Sequence, residues 1–144
     1  MPEVSAYFIA AGIAWLTAQG LKFLLNSSSV GTQRVRLLYQ SGNMPSAHTA
    51  TMTALTTVVG LYEGLGSSIF ALAAVMTMMT AYDAMMARRS AGEQGIALRK
   101  LLAKSPFAKD PLPYQALGHK PLEVAAGGVL GVLIGATVAF LITK

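Results

Sequence analysis

Residues 121–142 read PLEVAAGGVLGVLIGATVAFLI, an apolar run whose single charged side chain, Glu123, sits in its first turn. As a helix rising 1.5 Å per residue, the run is about 33 Å long, enough to cross roughly 30 Å of hydrocarbon. Pro121 suits the start, because its missing N–H is one that the first turn leaves without a helical partner. Gly127, Gly131 and Gly135 recur every fourth residue, with Gly128 alongside. One face therefore carries no side chains, and a neighbouring backbone can approach it closely. That neighbour is either another helix of this chain or a second copy, so the same face offers a route to a homodimer.

Three further stretches have the length and composition of spans: Ala6 to Leu25, Ser46 to Leu65 and Gly66 to Ala87. The turn YEGLGS, residues 62–67, is too short for anything but an antiparallel pair between the second and third. The N-terminal stretch carries Glu3 and no basic lead, and is apolar for about 20 residues, which fits a span better than a signal peptide. The expected fold is all-α: an integral membrane bundle of about four transmembrane helices in one domain, residues 1–144. Composition agrees, with 53% hydrophobic and 12% charged residues against the roughly 25% charged of a soluble domain. Cysteine is absent, which excludes disulfides and thiolate metal sites.

The net charge is +5. Lys22, Arg34, Arg36, Arg88, Arg89, Arg99, Lys100, Lys104, Lys109 and Lys120 all fall at the end of the first span, between the first and second, or between the third and fourth. Up-and-down threading puts those segments on one side, which the positive-inside rule makes cytoplasmic. The expected place is the cell (inner) membrane, with phospholipid head groups and a phosphorylated ligand, not nucleic acid, as partners of the basic residues. Within GIALRKLLAK, residues 95–104, Ile96, Leu98, Leu101 and Leu102 alternate with Arg99, Lys100 and Lys104. This is the pattern of a short amphipathic interfacial helix, or of a solvated connector whose lysines snorkel.

Polar residues at the helix ends need another account. In SGNMPSAHTA, residues 41–50, Pro45 suits a first turn and Ser46 an N-cap, but His48 has no role in capping. A helix N-terminus presents free N–H groups to an anion, and an imidazole there adds a group that moves protons near neutral pH. His119 and Glu123 lie four apart at the start of the last span, a spacing at which the carboxylate can fix the ring's tautomer. A carboxylate stabilised by the helix dipole beside a loop histidine is the plainer reading. These are the chain's two histidines, and the threading puts both on one membrane face. On that face AYDAMMARRSAG, residues 81–92, brings out Arg88 and Arg89, either topology anchors or phosphate ligands. Asp83, a turn deeper, is expected to face the bundle interior and orient a cation or a histidine. Lys22 is expected either to snorkel or to join the same group.

Taken together, these residues resemble the lipid phosphatase and vanadium haloperoxidase superfamily, typified by type 2 phosphatidic acid phosphatases, and within it a small divergent bacterial and plant branch. MPSAHTA (44–50) is similar to the superfamily's PSGH motif. YDAMMARRSAG (82–92) resembles the branch's tyrosine–aspartate–alanine and double-arginine signature, and GHKPLEVAAG (118–127) its histidine motif. The resemblance implies a metal-independent phosphatase, without cofactor, acting on a membrane lipid phosphate or diphosphate through a phosphohistidine. It implies His119 as nucleophile oriented by Glu123, and His48 as the acid that protonates the leaving oxygen. Lys22, Ser46 and Arg88 or Arg89 would hold the phosphate, with Asp83 and Asn43 supporting them from behind. The chain departs from the parent pattern at several points. No Arg-Pro follows Lys22, so Arg34 or Arg36 would supply that guanidinium. Ala47 stands where the motif has glycine, Glu123 where it has aspartate, and about thirty residues separate Arg89 from His119. A membrane protein that keeps a phosphate or lipid site for binding or transport without turnover is the alternative; a plain scaffold leaves both histidines without a purpose.

Overall fold

The computed structural model describes residues 4–25, 44–106 and 118–142. Among these residues five helices follow in order: α1 (Val4–Leu25), α2 (Ala47–Glu63), α3 (Ser68–Met85), α4 (Ala87–Leu102) and α5 (Pro121–Ile142). Among the described residues, three segments are long and apolar enough to cross a membrane: α1, the run Ser68–Leu102 that holds α3 and α4, and α5. The fourth expected span, α2, has 17 residues and is rich in threonine. It is the central helix, packed by α1, α3 and α5. Two of its hydroxyls are met locally, Thr51 Oγ1 donating to the Ala47 carbonyl (2.9 Å) and Thr57 Oγ1 to that of Thr53 (2.8 Å).

Small residues face inward and large ones outward. On α1 the buried positions are Ala6, Ala10, Ala14, Ala18 and Lys22, one stripe of period four. Phe8, Leu16, Leu72, Met78, Leu133 and Phe140 lie at the surface. Lipid tails solvate such side chains as well as a protein core would, so close backbone approach, not burial of large apolar groups, holds the helices together.

The glycine stripe of α5 makes that contact inside the chain. A Cβ on Gly127 would sit 2.5 Å from the Ser46 carbonyl oxygen, one on Gly135 2.6 Å from that of Ala54, and one on Gly131 would collide with the Ala50 carbonyl. All three carbonyls belong to α2 or its cap. A homodimer through Gly127, Gly131 and Gly135 is therefore corrected: α2 already occupies that face, and a second copy has no access to it.

α3 is joined to α2 by hydrogen bonds, Thr56 Oγ1 with Thr77 Oγ1 (2.8 Å) and Thr77 Oγ1 to the Met52 carbonyl (3.2 Å). Such interhelical bonds contribute about 0.6 kcal/mol each in a bilayer. At the end of the bundle remote from Lys22, Tyr7 donates to Glu63 Oε1 (2.6 Å) and Tyr62 to the Ala139 carbonyl (2.9 Å), tying α1, α2 and α5 together.

Two local expectations change. Ser46 is the N-cap of α2, so Pro45 precedes the cap and is not in the first turn. The third span does not run through Ala87: the backbone of Met86 (φ −108°, ψ −66°) interrupts it, which places Arg88 and Arg89 in the first turn of α4. α4 then carries the amphipathic segment, with Ile96, Leu98 and Leu101 exposed.

Candidate active site

The C-terminal ends of α1 and α3 and the N-terminal ends of α2 and α5 meet at one end of the bundle, and backbone bonds fix how they meet. Ser46 N–H donates to the Glu123 carbonyl (3.0 Å), joining the start of α2 to that of α5. His119 N–H donates to the Ala84 carbonyl (3.0 Å), joining the approach to α5 to the last turn of α3. Gly118 is necessary for the second contact, because a Cβ there would collide with the backbone of Arg89.

His119 is buried, with 4% of its surface exposed. Its Nδ1 lies 2.9 Å from Glu123 Oε2. An ionised carboxylate only accepts, so Nδ1 carries the proton and the neutral ring's lone pair is on Nε2. The same Oε2 accepts Lys120 N–H (3.2 Å). Glu123 is the third residue of α5, reaching back to the residue before Pro121, so one carboxylate both caps the helix and sets the tautomer.

Burial lowers the His119 pKa below its ordinary 6.5, an effect that the Glu123 hydrogen bond opposes and the nearby charge of Lys22 reinforces. The neutral ring thus prevails at neutral pH. Were Nε2 to serve as a nucleophile it would do so only as the free base, and any activity it carries would fall as acid protonates it. The acid limb of kcat/KM is expected to have its inflection below pH 6.5, and a pH–rate profile on the free enzyme checks it.

Lys22 closes the buried stripe of α1 at 4% exposure, within electrostatic range of Glu123 and His119. It does not snorkel outward; it ends inside the bundle, close enough to the imidazole for its charge to act on it.

The second group lies on an open cleft of about 440 Å³ lined by Trp15, His48, Met52, Met79, Asp83 and Arg88 among others. Arg88 Nε donates to Asp83 Oδ2 at 2.7 Å. The residues are five apart, a spacing that a continuous helix would not bring together so well; the break at Met86 turns the arginine back over the last turn of α3. Arg88 is also among the residues that line the cleft. Arg89 points elsewhere, pairing with Glu93 Oε1 (3.0 Å) at the surface. His48 lies close enough to Arg88, His119, Lys22 and Asp83 to feel their charges, which links the cleft to the buried group.

Ser46 is placed differently from its expected role. It is fully buried, its Oγ accepting Thr49 N–H (3.4 Å) and bonded to Thr49 Oγ1 (3.0 Å), so its hydroxyl builds the turn and is not presented to a ligand. Asn43, Arg34 and Arg36 lie outside the described residues. Thr51, Met76 and Thr80 also line the cleft and were not anticipated. Thr51 and Thr80 each sit three residues from a charged or titratable group, His48 and Asp83, a one-turn spacing that would have found them. Among the described residues, no three His, Cys, Asp or Glu side chains gather as a metal site would need.

Residues 4–134 match the model of the family described as Divergent PAP2. The chain belongs to the Divergent PAP2 family. A Bacillus subtilis (strain 168) relative, described as uncharacterized membrane protein YuiD, is 36% identical over 118 residues, covering 72% of this chain and 75% of that protein. No solved structure matches the chain significantly. This Divergent PAP2 chain is a membrane protein with three candidate spans among its described residues, and the family match takes in Lys22, both histidines, Asp83, Arg88, Arg89 and Glu123.

Proposed function

We propose that the protein is a metal-independent phosphatase of a membrane lipid phosphate or diphosphate, working through a phosphohistidine at the cytoplasmic face of the cell's inner membrane. The observation that carries this reading is the tautomer lock: the Glu123 carboxylate leaves the lone pair of a neutral, buried imidazole on Nε2, with Lys22, His48 and Arg88 within electrostatic range.

The steps follow from those positions. Nε2 of His119 attacks phosphorus as the bond to the leaving oxygen breaks, and His48, which takes up a proton when the anionic phosphate binds, gives that oxygen its proton. Water, deprotonated by the now neutral His48, then cleaves the P–N bond, releasing phosphate and restoring both rings. Lys22 and the terminal nitrogens of Arg88 offset the charge on the equatorial oxygens. Phosphatidylglycerol phosphate, phosphatidic acid and polyprenyl diphosphate classes all present the required group. Purified protein in detergent is expected to release phosphate from at least one of them with EDTA present; no release from any would refute the reading.

The two arginines give a sharper check. Arg88→Gln is expected to lower kcat/KM by about 10²- to 10³-fold, as loss of a preorganised donor does. Arg89→Gln, which breaks only a surface pair, is expected to change it by less than about threefold.

One observation favours a second reading, a phosphate- or lipid-binding protein without turnover. His119 is buried and is not among the residues lining the cleft, whereas His48 and Arg88 are. Orthovanadate binding without phosphate release is its expected signature.

A further inference from the structure

α1 and α3 both pack on α2 but not on one another. Between them lies the cleft, with α2 as its floor, Trp15 on one wall and Met76, Met79 and Thr80 on the other. Its lining is graded along the helix axis. Asp83, Arg88 and His48 stand at the site end; Met52 lies one turn deeper than His48, and Met79 and Met76 one and two turns deeper than Asp83. From Asp83 to Met76 the change from ion pair to thioether spans about 10 Å.

A gap at this depth cannot stay empty, and water would find few polar partners along its apolar stretch. Methionine walls adapt to flexible hydrocarbon. The second groove, about 460 Å³ between α1 and α5, has the opposite character: Leu21, Leu25, Leu122, Val129 and their neighbours line it, and none of the described residues there is charged.

From this juxtaposition we infer that the α1–α3 gap is the binding site of an anionic lipid, its phosphate monoester on Arg88 and His48 and the first part of one acyl chain along Met52, Met79, Met76 and Trp15. The α1–α5 groove takes bulk lipid without regard to headgroup. The headgroup's chemistry rests on the phosphatase reading; the chain's place rests on the gap itself. A lipid held there enters sideways from the bilayer, and its ester oxygen arrives beside His48.

Trp15 is the chain's single tryptophan and lies on the cleft wall, so it reports the occupant directly. The full-length protein is placed in nanodiscs of unbrominated neutral lipid containing a few mole per cent of phosphatidic acid brominated on the proximal part of one chain, and Trp15 fluorescence is compared with that in discs holding phosphatidylcholine brominated at the same carbons. Quenching per mole is expected to be about tenfold greater for the phosphatidic acid, the selectivity that charge-assisted bonds to one guanidinium provide. Arg88→Gln, which sits at the cleft mouth and not in the core, is expected to bring the two lipids level. Equal quenching in the unmodified protein would overturn the inference, as would Trp15 shielded from both lipids, the result if a second copy filled the gap. Phosphatidic acid-selective quenching without phosphate release would refute catalysis and keep the site; release with unselective quenching would do the reverse.

Discussion

On the proposed mechanism, replacing His119 with alanine is expected to reduce phosphate release by about 10³-fold or more, because the proposed nucleophile would have no substitute among its neighbours. Fold loss is not the expected cause. The contact that holds this segment to α3 is the backbone N–H of His119 on the Ala84 carbonyl, which alanine retains. His48→Ala is expected to behave differently: it slows breakdown of the intermediate, so acid-labile phosphate on His119 accumulates when a substrate with a good leaving group is used. Steady-state rates of both variants, with mass-spectrometric detection of phosphohistidine in His48→Ala, check the pair. Normal turnover by His119→Ala would remove the nucleophile from the proposal.

The second large effect is on the fold. Gly131→Leu is expected to destabilise the bundle by about 3 kcal/mol or more, the upper end of what overpacking costs, because the new Cβ meets the Ala50 carbonyl and Thr53 instead of a side chain that can swing aside. Gly128→Leu on the same helix is the control. Nothing lies within 4 Å of a Cβ there, so the leucine enters the lipid-facing surface and stability is expected to stay unchanged within about 0.5 kcal/mol. Unfolding in detergent by a graded denaturant measures both. Since the start of α2 and the start of α5 share the Ser46–Glu123 bond, Gly131→Leu is also expected to misplace Ser46 and His48 together.

Much of this arrangement was legible in the residues. The glycine stripe announced a close neighbour, and the four-residue spacing of His119 and Glu123 announced a contact that the structure supplies at 2.9 Å. What spacing did not reveal was which neighbour the glycines touch, because close approach by any backbone satisfies the same pattern. Arg88 and Arg89 are indistinguishable in sequence, and only the break at Met86 separates them; methionine is a good helix former and gives no warning of a break. Ser46 was over-read: a serine that caps a helix spends its oxygen on the cap. The burial of Lys22, by contrast, is visible in the run Ala6, Ala10, Ala14, Ala18 and Lys22, which places the ammonium on the same inward stripe as four alanines. The central position of α2 follows from its small inward residues, Ala50 and Ala54, which admit α1 on one side and α5 on the other, a property of tertiary packing that its modest hydropathy conceals.

The central claim is spatial: two imidazoles, one buried on the Glu123 carboxylate and one at the cleft, serve a single anion. An experimental structure of the protein in lipid with orthovanadate bound tests it most directly, since vanadate adopts the five-coordinate shape of phosphoryl transfer. The expected result is vanadium bonded to His119 Nε2, His48 within hydrogen-bond reach of the opposite apical oxygen, and Arg88 and Lys22 on the equatorial oxygens. Vanadate bonded to neither ring, or held by His48 and Arg88 with His119 turned away on Glu123, would contradict it.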